Sequence, residues 1–107
     1  MKNTKHMALI AGRHEIPQAV DGAVFTCPIE DVTDVKGLEE QARNSLKKAF
    51  SLTEPSDLRT VPELVLFVTG LSVALVAVLN VCQDECIKVT LMHYNSQTGE
   101  YFRQEVR

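Results

Sequence analysis

The chain predicts an α/β domain: a Rossmann-like three-layer sandwich with a mostly parallel central sheet and a C-terminal antiparallel hairpin. Three observations carry the prediction. Leu64 to Val68 is a short β-branched and aromatic run that passes through Thr69-Gly70 directly into an apolar helical run, as a strand buried on both faces does when it turns into a buried helix. Gly37 to Phe50 repeats apolar residues at helical spacing between strand-like segments. The C-terminal segment closes with two strand-like runs around a glycine-containing turn. Strand, strand, helix, strand, helix, strand, strand is the order of an α/β sheet, and right-handed crossovers set the two long helices on its faces.

Taken in order, Met1 to His6 reads as a loose end, and Ala8 to Gly12 as a first strand ending at a glycine. Asp21-Gly22 marks a turn, and Ala23 to Ile29 is a second strand, weakened by Pro28. Asp31 to Asp34 offer helix caps. Leu38, Ala42, Leu46, Ala49 and Phe50 form the apolar stripe of the first helix, with Glu39 and Glu40 in its first turn and Lys47 and Lys48 in its last, matching the helix dipole. Ser51 to Pro62 is a long connection. Leu64 to Val68 is the central strand, Ser72 a candidate cap for the helix Leu71 to Cys82, and Ile87 to Tyr94 a further strand. Asn95 to Gly99 makes the hairpin turn, and Tyr101 to Val106 returns as an antiparallel edge strand.

At 107 residues the chain is a single domain, 1–107, with room for one core. Its net charge of −3 opposes a protein that coats long nucleic acid, which needs many Lys and Arg contacts to phosphate. A short or cyclic nucleotide needs only a few local donors. Residues 64–82 approach the length of a membrane span, but Thr69, Gly70, Ser72 and Asn80 interrupt them, so no membrane partner is expected. The N-terminus lacks a secretory pattern, and a cytoplasmic location is expected. Cys27, Cys82 and Cys86 then read as reduced thiols. Cys82 and Cys86 with His93 or His14 are conceivable zinc ligands. The favoured reading has both cysteines as small buried hydrophobes and no metal or cofactor.

In a parallel sheet the carboxyl ends of the strands share one edge, where open α/β folds bind ligands. That edge would carry Arg13-His14, Thr26-Cys27, Thr69-Gly70-Leu71-Ser72 and His93-Tyr94-Asn95. Thr69, Gly70 and Ser72 are the strongest candidates, because the first free N–H groups of the following helix favour an anion there. Arg13 supplies a permanent charge and His14 a group titrating near neutrality. Asn95 or His93 could read a base or orient a hydroxyl; the alternatives are a cross-strand contact with Tyr101 and a turn-forming Asn95. The Gly-x-Gly-x-x-Gly, Walker lysine and Gly-x-Ser-x-Gly patterns are absent. The helix Leu71 to Cys82 is apolar almost all round, which predicts a two-fold homodimer in which Ala74 and Ala77 permit close approach.

The strand ending in Thr69-Gly70 and running through Leu71-Ser72 into a helix resembles the ligand-binding turn of CARF domains, the CRISPR-associated Rossmann-like sensors. The small size and expected dimer are similar to the short stand-alone ring nucleases of type III CRISPR systems. The resemblance implies binding of a cyclic oligoadenylate across the dimer axis, with or without metal-independent cleavage by a ribose 2′-hydroxyl. It further implies that Thr69 and Ser72, with the Gly70 and Leu71 amides, hold phosphate, that Arg13 stabilises charge, and that His14 or His93 assists proton transfer. A sponge that binds without turnover, and an adaptor that uses the apolar helix only for association, are the other expectations.

Overall fold

The computed structural model describes residues 3–11, 16–50, 62–69 and 71–106. Its elements run β1 (Asn3–Ile10), β2 (Ala23–Phe25), α1 (Val35–Phe50), β3 (Pro62–Phe67), α2 (Ser72–Asp84), β4 (Lys88–Asn95) and β5 (Glu100–Glu105). They build the expected α/β fold around one five-stranded sheet of order β2-β1-β3-β4-β5. β1 pairs in parallel with β2 and β3, β3 in parallel with β4, and β5 antiparallel with β4. β3 is central and β5 an edge, and the whole is compatible with a Rossmann-like sandwich.

β1 begins earlier than its apolar residues announce. Asn3 to His6, read from sequence as a loose end, pair with Pro62 to Val65 of β3. The ladder uses backbone groups, so polar side chains do not end a strand whose neighbour continues. β2 stops at Phe25, four residues short of the expected Ile29. The residues from Thr26 onward lead into Pro28, which has no N–H for a ladder.

α1 starts at Val35 because Asp34 Oδ1 accepts the Gly37 N–H at 3.1 Å, a side-chain cap of the usual kind. In this geometry a Cβ at position 37 would meet the Asp34 carboxylate, so a larger residue there would oblige that side chain to shift. This earlier start moves Glu39 and Glu40 out of the first turn, which holds no acidic residue, while Lys47 and Lys48 do occupy the last.

Both helices lie on the same face of the sheet and pack side by side, so the described residues form two layers, one of helix and one of sheet, and not the three expected from a helix on each face. Asn80 Nδ2 donates to Glu39 Oε2 at 3.4 Å, Arg43 pairs with Asp84 at 3.0 Å and Glu85 at 3.3 Å, and Lys47 reaches Glu85 at 3.8 Å. The strand order explains this. The crossovers β2→β3 and β3→β4 advance in the same direction, so equal handedness puts α1 and α2 on one side. Leu38, Ala42 and Leu46 of α1 and Ala74, Ala77, Val78 and Val81 of α2 close over Leu9, Leu64 and Leu66 of the sheet. Ala74 and Ala77 are thus committed to the core of their own chain, and do not give a second copy close approach. The outward side of α2 carries Ser72, Val76, Asn80 and Gln83, flanked by half-buried Leu75 and Leu79. Among the described residues, no helix is long and apolar enough to cross a membrane.

α2 ends in a paired-bond cap: Cys86 N–H reaches Gln83 O at 3.4 Å and Ile87 N–H reaches Cys82 O at 2.8 Å. Cys86 stands at φ 57°, in the left-handed region that this motif requires. It is exposed, contrary to its expected role as a buried hydrophobe, whereas Cys82 is buried as expected.

Candidate functional site

The carboxyl ends of β1, β2, β3 and β4 share one edge because these strands are mutually parallel. From β1 the chain goes to β2 on one side, while β3 and β4 follow on the other. The sheet therefore has its topological switch between β1 and β3, where the connections leave in opposite directions and open a crevice. A recess of roughly 300 Å³ opens at this edge, lined by Ile10, Ala11, Pro28, Ile29, Val32 and Leu71. Its wall is apolar, so polar recognition beside it falls to the turn from β3 into α2.

In that turn Leu71 occupies the N-cap position in extended conformation, φ −114° and ψ 103°, and no side chain among the described residues caps the helix. Ser72, expected as the cap, is instead the first helical residue, and it is exposed. The first intrahelical bond closes between Leu75 N–H and Leu71 O at 3.1 Å. The amides of Ser72, Val73 and Ala74 precede it, and these are the groups that carry the positive end of a helix dipole. A leucine at the cap leaves them without the side-chain oxygen that Ser, Thr, Asp or Asn would supply. Beside them Thr69 is buried at 7% exposure, and its Oγ1 has no hydrogen-bond partner among the described residues. Thr90 Oγ1 is likewise unpartnered, but in the interior of β4 and not at the ligand edge.

The structure brings Thr69, Leu71 and Ser72 together at the end of β3. Arg13, His14 and Gly70, also candidates from sequence, lie outside the described residues. His93 and Asn95 sit at the end of the neighbouring β4, each engaged in the hairpin. His93 Nε2 is 2.8 Å from Gln104 Oε1, and its ring packs 5.3 Å from that of Phe102. Asn95 Oδ1 accepts the Gln97 N–H at 3.0 Å and its carbonyl accepts the Gly99 N–H at 2.8 Å. Gly99 takes the left-handed φ of 73° that the turn demands. Asn95 thus forms the turn, as its alternative reading had it, while His93 makes its cross-strand contacts with Gln104 and Phe102 and the contact with Tyr101 belongs to Tyr94.

Burial pushes the Cys82 thiol up to about 12, so it stays protonated and apolar near neutrality. No three His, Cys, Asp or Glu side chains come together as a candidate metal site among the described residues. Sequence reasoning gave little weight to an aromatic group on the sheet face opposite the helices. There Phe67 contacts Tyr101 edge-on at 5.2 Å and Tyr101 contacts Tyr94 at 5.4 Å. The available signal was alternation: Tyr94 follows Met92 by two residues and faces Tyr101 across the hairpin.

Comparison with known proteins finds no matching family model, no matching curated protein and no matching solved structure.

Proposed function

We propose that this chain binds a phosphate-bearing nucleotide at the turn from β3 into α2, with a cyclic oligoadenylate as the ligand class. The observation that carries the reading is the uncapped N-terminus of α2 at the ligand edge of the sheet. Helix amides that have no side-chain acceptor favour an anion, and a phosphate meets several of them at once. The buried Thr69 hydroxyl beside them, without a partner among the described residues, supports the reading as a further donor. The choice of a cyclic oligoadenylate follows from the resemblance of Thr69 to Ser72 to the CARF turn. Binding comes before turnover: among the described candidates, His93 is held by Gln104 and Phe102. The site acts in the cytoplasm, where exposed Cys27 and Cys86 remain reduced thiols.

The test is calorimetric titration with cyclic and linear oligoadenylates, followed by separation of products. Saturable heat with a cyclic member supports the reading, and new products would extend it to ring cleavage. Absence of heat with every member would reject it.

A second reading has an observation of its own. Val76 on the outer side of α2, with Phe102 and Val106 on and beside β5, are exposed at 52%, 53% and 38%. Large apolar side chains in that arrangement suit association with a second copy. A homodimer is compatible with nucleotide binding, and it becomes the leading function if no nucleotide binds.

A further inference from the structure

On the sheet face opposite the helices, the aromatic side chains form a graded series. Phe67 of β3 is buried at 4% exposure, Tyr101 of β5 is half-buried, and Tyr94 of β4 is 55% exposed. Strand alternation puts them on one side: Phe67 is in register with Met92, two residues before Tyr94, and Tyr94 is directly opposite Tyr101. The contacts are edge-on, with interplanar angles of 88° and 65°. Phe67 anchors Tyr101, Tyr101 steadies Tyr94, and more than half of Tyr94 stays open to solvent. A Cβ at Gly99 would lie 3.9 Å from the Tyr94 hydroxyl, which places that hydroxyl near the turn glycine. Arg103, two residues along β5 from Tyr101, is exposed on the same face. The Tyr94 ring is large, held from one side by Tyr101 and open on the other, and its flat face is suited to another flat ring.

Its position connects it to the proposed ligand site. The Val68 N–H donates to Met92 O at 3.0 Å, which carries the β3–β4 ladder up to the edge. Thr69 and Tyr94 therefore stand at the ends of adjacent strands, the first beside the α2 N-terminus and the second at the aromatic face. We propose that Tyr94 is the platform on which a base of the bound nucleotide stacks while its phosphate meets the α2 N-terminus. This rests on the nucleotide-binding reading and adds a binding residue to it. Stacking tolerates any base, so Tyr94 contributes affinity and orientation, and base identity is read elsewhere.

The chain offers a direct readout, because it has no tryptophan and Tyr94 and Tyr101 are its only tyrosines. The experiment titrates cyclic tri-, tetra- and hexa-adenylate into wild type and the variants Tyr94→Ala, Tyr94→Phe and Tyr101→Phe. It follows calorimetric heat, tyrosine emission and sedimentation. Losing one base–aromatic stack weakens affinity by roughly five- to over a hundredfold, so Tyr94→Ala is expected to show that loss while Tyr94→Phe binds as wild type. In Tyr101→Phe, where Tyr94 is the sole emitter, ligand quenches the emission; this arm reports even if Tyr94→Ala misfolds. Unchanged emission with equal binding by Tyr94→Ala overturns the stacking role and leaves the nucleotide-binding reading standing. Absence of binding to every ring overturns both. A change of association state in Tyr94→Ala, with ligand affinity intact, overturns stacking in favour of a subunit interface.

Discussion

Cys86 holds a left-handed backbone conformation at φ 57° because α2 ends in a motif that demands it. A side chain in that region costs about 1 kcal/mol relative to glycine. Cys86→Gly is expected to stabilise the fold by up to about 1 kcal/mol, the greater freedom of unfolded glycine offsetting part of the gain; an unchanged or lower denaturation midpoint would contradict this. Cys82, one turn earlier, is its opposite. Burial raises its thiol from an ordinary value of 9.0 to about 12, so the folded state holds the proton more tightly than the unfolded state. That contribution to stability is complete below pH 9.0 and is lost as pH rises toward about 12. A thiol reagent near neutral pH should modify Cys27 and Cys86 in the native protein and reach Cys82 only on unfolding. The burial of Cys82 was legible in the helical spacing that makes it part of an apolar helix. The exposure of Cys86 was not, because it follows from a backbone cap that residue type does not announce.

The helices were easier to read from sequence than their ends. The apolar stripe of α1 is in the sequence, and Leu38, Ala42, Leu46 and Phe50 are the residues buried. Its start depends on which of several acidic residues turns its carboxylate toward a backbone N–H, and Asp34 does so at a glycine that leaves it space. Asp34→Ala is expected to cost about 1 kcal/mol in chemical denaturation. α2 was legible as a helix but not in its orientation, since residues apolar on nearly every side give no moment to orient it. The pairing with α1 decides the matter, drawing Ala74 and Ala77 inward and leaving Val76 exposed. Leu66, fully buried between β1 and β4, lies where truncation leaves a cavity. Leu66→Ala is expected to destabilise by about 2–5 kcal/mol, and a loss below 1 kcal/mol would show that the site collapses around the smaller side chain.

Across the whole molecule, strand order sets both the helix layer and the ligand edge. Continuous apolar runs and chain order predicted a parallel sheet with a C-terminal hairpin, because buried parallel strands and hairpin turns leave local marks. That β1 lies between β2 and β3 leaves no such mark, and it places the switch point and puts both helices on one face. Association also belongs at this scale. If the outer side of α2 meets a second copy, Val76→Glu buries an unpaired charge and should shift sedimentation toward monomer; a wild type that is monomeric at micromolar concentration would dismiss the interface. The central claim is an anion held by the α2 amides, and Ser72→Pro tests it most directly. Proline is favoured at the first helical position, and Leu71 already has the extended backbone that a following proline requires. The change removes an amide donor and a hydroxyl while the helix persists. Calorimetry of a cyclic oligoadenylate against wild type and Ser72→Pro should show affinity weakened roughly ten- to over a hundredfold, the loss of one charged hydrogen bond or more, with the thermal midpoint retained. Equal affinity in the two proteins would contradict an anion site at this helix.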